Sequence, residues 1–142
     1  MLTMLLRLVT ASTVVIFASV AAAQASAHRK GPNGLEGWVI RERIPTLEDQ
    51  GPLPTSLVIA RHGKVIRHLS MRRDGGPFYW NFVFLAGGEE VAFEQGPLHF
   101  NLTCTLMRIK TGEHIQDYDC FSSPLSDDAP EWVKQLESSS QP

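Results

Sequence analysis

The sequence predicts a mainly β fold, an antiparallel meander of about five to seven strands closed by a short C-terminal helix. Three observations carry this. Aromatic residues recur at every second position in Phe78–Phe84, and apolar and polar residues alternate through Leu98–Leu106. Turn signals punctuate these runs at Gly63, Gly87-Gly88, Gly96-Pro97 and Gly112. A helix-type spacing appears near the end, where Trp132, Val133 and Leu136 share one face behind Asp128-Ala129-Pro130-Glu131.

The chain opens with a targeting pattern. Arg7 is the single charge in residues 1–27; an apolar run, Leu8–Val20, follows, and then Ala21-Ala22-Ala23 and Ala25-Ser26-Ala27. This order of charge, apolar run and small residues is that of a secretory signal, with cleavage expected after Ala27 and Ala23 as the second site. The rival is an uncleaved anchor. Against it, a spanning helix needs about 20 apolar residues, and this run is shorter and holds Thr10, Ser12, Thr13 and Ser19. The expected location is exported, periplasmic or secreted, with no membrane contact after cleavage.

Cleavage would leave 115 residues, enough for one small domain. With Arg7 gone, 12 basic residues face 15 acidic ones. A dedicated nucleic-acid binder would ordinarily be basic, so that class is set aside. The charge is segregated. Arg61, Lys64, Arg67, Arg72 and Arg73 form a stretch without an acid, whereas Glu113–Glu137 holds seven acids against Lys134. The plain reading is two solvated faces. The sharper one is a basic strip for an anionic partner, such as a glycan or a lipid headgroup.

Taken in order, residues 28–56 are expected to be a Gly/Pro-rich lead-in with one candidate strand at 38–44, ended by Pro45. Residues 57–121 form the antiparallel β domain. Within it, 57–69 (LVIARHGKVIRHL) reads as a hairpin with Gly63 at positive φ. In Phe78–Leu85 the side chains of Phe78, Trp80, Phe82 and Phe84 fall on one face and form the expected heart of the core. Val91 and Phe93 point inward from the next strand. In Leu98–Ile109, Leu98, Phe100, Leu102, Cys104 and Leu106 take one face and His99, Asn101, Thr103 and Thr105 the other. Residues 122–142 are a loop, a helix capped by Asp128 with an early proline, and a frayed tail.

Cys104 and Cys120 are the two cysteines. In an oxidising compartment a disulfide is the leading reading. Its geometry constrains the hairpin around Thr111-Gly112, because bonded Cβ atoms must lie about 3.5–4.5 Å apart. A two-residue loop would set Cys104 opposite Asp119 and turn Cys120 away. A three-residue connection or a nearby bulge sets the cysteines opposite or diagonal. The closed loop of about 17 residues corresponds to about 3 kcal/mol in the chain-entropy estimate.

SLVIARHGKVIRHL (56–69) and TLMRIKTGEHIQDY (105–118) match at Leu57/Leu106, Gly63/Gly112 and Ile66/Ile115, at a constant offset of 49. Repeats of this period occur in β-propellers. Residues 78–121, with FYWNFVFL, the turn AGGE, the phrase EVAFEQGP and the hairpin TLMRIKTGEHI, resemble one four-stranded propeller blade, and 57–69 resembles half of another. The likeness spans about one and a half blades, lacks a Trp-Asp dipeptide, and falls far short of a closed propeller. It implies blade-like local structure and no particular activity.

Chemical constellations are few. His99 with Asp117 or Asp119 could form a base pair for a small hydrolase or lyase, but no GxSxG stretch supplies a nucleophile. The five histidines lack HExxH or HxH spacing, the cysteines are not in CxxC, and no cofactor fingerprint is present, so neither metal nor cofactor is expected. Asn101-Leu102-Thr103 is a glycosylation triplet that matters only in a eukaryotic secretory pathway. The leading functional expectation is a non-enzymatic binding or interaction module. The alternatives are the His99 hydrolase and a blade-like subunit completed by self-association.

Overall fold

The computed structural model describes residues 26–43, 46–50, 53–70, 78–97, 102–120 and 125–139. Within them the chain forms β1 (Ser26–Lys30), β2 (Leu35–Arg41), β3 (Thr55–Arg61), β4 (Lys64–Leu69), β5 (Phe78–Leu85), β6 (Glu90–Gly96), β7 (Thr103–Arg108), β8 (His114–Asp119) and one helix, α1 (Glu131–Ser138). The fold is mainly β and antiparallel. The strands divide into two four-stranded meanders, β1-β2-β3-β4 and β5-β6-β7-β8.

The segment 28–56 differs from its sequence reading. It supplies β1, β2 and the start of β3, so the sheet begins at Ser26 rather than at Leu57. The missed signal is Asn33-Gly34, an Asn-Gly pair of the kind that forms tight hairpins. Both residues take positive φ, 55° and 68°. Of the candidate strand at 38–44, residues up to Arg41 are in β2, and Ile44 and Pro45 lie outside the described residues.

One face of each sheet meets the other in a sandwich. Leu35, Val39, Leu57 and Ile59 come from the first sheet; Tyr79, Phe82, Val91, Phe93 and Met107 come from the second, with Ile109 just beyond β7. Gly37 lies on this face of β2. A Cβ there would stand 2.8 Å from Phe82 Cε2 and 3.0 Å from Phe84 Cζ, so the absence of a side chain is what lets these rings sit on the opposing sheet.

The aromatic stripe is rearranged. The register between β5 and β6 shifts by one between Tyr79 and Asn81, a β-bulge at Trp80. Alternation restarts there, so Tyr79, rather than Phe78, joins Phe82 and Phe84 at the sandwich. Tyr79 contacts Phe93 at 5.5 Å between ring centres. Phe78 is half-buried outside that cluster, and the Trp80 side chain is outside those described.

The second sheet is buried on both faces, which a strict inward/outward reading of Leu98–Ile109 does not anticipate. Cys104 and Leu106 point away from the sandwich and pack with Ala92 under Val133 and Leu136 of α1. Thr105, expected on a polar face, is fully buried in the opposite layer beside Met107. Its hydroxyl donates to Asp117 Oδ1 at 2.7 Å and accepts from Gln95 Nε2 at 3.2 Å, which satisfies it. The helix docks through the expected face, with Trp132 half-buried at its margin. Its start moves: Pro130, not Asp128, occupies the N-cap, and Asp128 accepts a hydrogen bond from the Ser126 hydroxyl instead.

Two side chains secure the far end of α1. Asn81 Nδ2 donates to Leu136 O at 2.7 Å, and Arg29 Nη2 donates to Ser139 O at 2.7 Å. Arg29 also donates to Phe82 O and lies over the Phe82 ring at 5.3 Å. One residue of β1 thereby touches the second sheet and the end of the helix.

Cys104 and Cys120 are disulfide-bonded, with Cα atoms 5.7 Å apart. Cys104 pairs with Tyr118, so Cys120 is its diagonal neighbour, and the register shifts between Leu106 and Met107. This is the diagonal arrangement with a bulge that the spacing of the cysteines permits. The matched hairpins 57–69 and 105–118 are the last two strands of each meander. Leu57 points to the second sheet and Leu106 to the helix, each toward the next layer.

Candidate anion-binding cleft

At one end of the sandwich the β3–β4 turn of the first sheet approaches the β5–β6 and β7–β8 turns of the second. The β3–β4 connection has two residues, His62 and Gly63, both at positive φ (49° and 76°), which suits the twist of a tight hairpin. The turn is held against the preceding hairpin: His62 N–H donates to Gly34 O at 2.8 Å. The His62 ring occupies the space a Cβ at Gly34 would need, since its Nδ1 would stand 2.3 Å from that atom.

This anchoring fixes two arginines. Arg61 ends β3, and its Nη2 donates to Gly88 O at 3.2 Å. A bulge in the β3–β4 ladder places Arg67 opposite Ile59, on the sandwich side. From there its Nε donates to Ile109 O at 2.7 Å and its Nη2 to Lys110 O. The first sheet thus holds the turns of the second through arginine-to-carbonyl bonds.

Between these turns is a cleft of about 620 Å³ lined by Arg61, Ile66, Arg67, Gly88, Glu89, Arg108, Ile109 and Lys110. Four cations therefore face one carboxylate. The groups that accept from Arg61 and Arg67 are neutral carbonyls, which fix the guanidinium planes without cancelling their charge. Arg108 pairs with Glu113 at 2.8 Å, but both partners are about half exposed or more. Such a pair is worth at most about 1 kcal/mol and exchanges readily for another anion. Near a protein surface a unit charge about 4 Å from each cation gains roughly 4 kcal/mol per pair before desolvation. Arginine also offers the planar fork that matches sulfate, phosphate or carboxylate.

Of the predicted basic strip, the structure brings Arg61 and Arg67 into the cleft and leaves Lys64 at the turn outside its lining. Arg72 and Arg73 lie outside the described residues. Arg108, Lys110 and Glu89 were not anticipated. A signal existed, because the 49-residue offset aligns Arg61 with Lys110.

The other predicted constellation, His99 with Asp117 or Asp119, rests on a residue outside those described. His99 and Asn101 lie outside the described residues, while Asp117 is tied to Thr105. Among the described residues no three His, Cys, Asp or Glu converge as a metal would require. His28 instead pairs with Glu36 at 3.3 Å and stacks near Trp38.

A second hollow, about 600 Å³, lies beside α1 and is lined by Glu94, Leu125, Ser126, Asp127, Lys134, Glu137 and Ser138. Its sign is opposite, with three carboxylates against one lysine. Burial, and then the nearby Glu137 charge, push the Glu94 carboxyl above its ordinary range.

No helix among the described residues is long and apolar enough to cross a membrane. Comparison with protein-family models, with curated proteins and with solved structures gives no match to this chain.

Proposed function

We propose that this chain is an exported, non-enzymatic binding module whose cationic cleft receives an anionic group of a larger ligand. The observation that carries this reading is the convergence of Arg61, Arg67, Arg108 and Lys110 on one cleft, with neutral carbonyls as the partners of the first two. The disulfide is compatible with an oxidising compartment, and the secretory pattern of residues 1–27 supports export.

The group recognised is a sulfate or phosphate ester, whether on a glycan or at a lipid headgroup. Two probes separate the sources: a sulfated oligosaccharide in solution, and vesicles containing phosphatidylglycerol beside neutral vesicles. Binding to one probe should weaken with salt, because exposed charges are screened beyond about 8 Å at physiological ionic strength. Arg61→Gln and Arg108→Gln should each weaken it about tenfold, as expected for a lost charge-assisted bond. Affinity that both substitutions leave unchanged would refute the cleft. Turnover of any substrate that is abolished by changing one polar residue would refute the non-enzymatic reading.

A further inference from the structure

The two meanders end in edge strands of opposite charge. Among the described residues β4 pairs with β3 alone and β8 with β7 alone. Each presents an outer row of backbone donors and acceptors of the kind that pairs with another strand. The other two edges are held differently. Arg29 ties β1 to Phe82 and Ser139, and β5 lies against β2, β3 and α1.

Sheet edges are ordinarily protected by charge. Here β4 carries Lys64 outside the cleft and no carboxylate, and β8 carries Asp117 and Asp119 with no lysine or arginine. Pairing of β4 with another β4, or of β8 with another β8, sets like charges together. Pairing of β4 with β8 sets opposite charges together, so the protection fails for one combination. The exposed apolar side chains fall in the same places. Val65 on β4 is 52% exposed and Ile115 on β8 is 40% exposed; the remaining exposed large hydrophobic among the described residues is Leu47, in a loop. Branched aliphatic side chains on neighbouring strands are favourable cross-strand partners.

We infer that β4 of one molecule pairs with β8 of a second copy of this chain. The contact is heterologous, joining two different surfaces, and each such contact unites two four-stranded meanders into one eight-stranded sheet. It rests on Lys64 and Val65, which do not line the cationic cleft, so it stands or falls separately from ligand binding there.

Sedimentation velocity on the disulfide-bonded chain tests this from about 1 μM to about 500 μM, a range spanning weak self-association. Average mass should rise with concentration at about 0.05 M salt and fall at about 0.5 M. Lys64→Glu and Asp119→Lys should each weaken association about tenfold, because each turns an attraction into a repulsion. An equimolar mixture of the two variants should associate again, because each supplies the edge that suits the other. A variant that merely misfolded could not be rescued by mixing. A monomer throughout the range, association indifferent to both substitutions, or loss without rescue would each overturn the inference.

Discussion

Gly37→Ala separates a sandwich from two loosely associated sheets. In an exposed strand with compatible φ, replacing glycine by alanine stabilises by about 0.4–1 kcal/mol, because the unfolded chain has less freedom to lose. At Gly37 the added Cβ would meet Phe82 Cε2 at 2.8 Å, Phe84 Cζ at 3.0 Å and Phe82 Cζ at 3.1 Å. Those rings cannot retreat freely, since Phe82 is fully buried and lies edge-on to Phe84 at 5.6 Å. Overpacking of this kind costs about 1–3 kcal/mol. The net expectation is a destabilisation of about 1–2 kcal/mol, or about 5–10 °C in Tm for a domain of this size. Urea denaturation of wild type and variant at one temperature measures it. Phe82→Leu in the Gly37→Ala background makes room for the methyl group. The double-mutant cycle should then show a favourable coupling of about 0.5–3 kcal/mol. A Gly37→Ala protein more stable than wild type, or a coupling of zero, would refute the close approach of the sheets.

Other consequences follow from the same contacts. Reducing the Cys104–Cys120 bond, or replacing both cysteines by serine, should lower stability by about 3 kcal/mol for this loop length; an unchanged urea midpoint would show the bond to be absent or inconsequential. Burial, and then Glu42, hold the Tyr79 hydroxyl up at about 12 against an ordinary value of 10.0. Between those values the unfolded chain releases this proton while the folded chain keeps it, so stability should fall as pH rises from 10.0 to about 12. Tyr79→Phe should flatten that part of the alkaline stability curve. The raised Glu94 carboxyl has the same sign lower on the scale: its contribution is full below the ordinary carboxylate value of 4.5 and is lost as pH rises through its raised folded value. Glu94→Gln should remove that pH dependence and raise Tm at neutral pH; a lower Tm would argue against the unfavourable burial beside Glu137.

Much of the fold is legible in local pattern. The hairpin at His62-Gly63, the turns at Gly87-Gly88 and Gly112, and the docking face of α1 follow from alternation, glycine placement and helical spacing. A Cys104–Cys120 bond restricts the register to an opposed or a diagonal pairing, and the structure has the diagonal one. What was not legible depends on events that shift the phase or act across the chain. The bulge at Trp80 adds one residue to a strand, so Tyr79 takes the inward place expected of Phe78, while Phe82 and Phe84 keep theirs. The burial of Thr105 depends on a second sheet arriving from residues far away in sequence. Asn33-Gly34 was legible but hidden by its polar, glycine-rich surroundings, which resemble a flexible leader.

The cleft was half legible for the same reason. Arg61 and Arg67 stand out because no acid lies near them in sequence. Arg108 and Lys110 sit in a mixed stretch beside Glu113, and only the stacking of the two sheets brings them to the first pair. Charge runs are visible in one dimension, whereas a site assembled from three turns is a property of topology.

An amide NMR titration of the disulfide-bonded protein with a sulfated oligosaccharide and, in parallel, phosphatidylglycerol vesicles tests the cationic cleft most directly. Saturable shifts or line broadening are expected at Arg61–Arg67, Gly88-Glu89 and Arg108–Lys110 with at least one probe, lost in Arg61→Gln. No perturbation with either probe, or perturbations centred on α1 and Glu94, would contradict the reading of the cleft as an anion site.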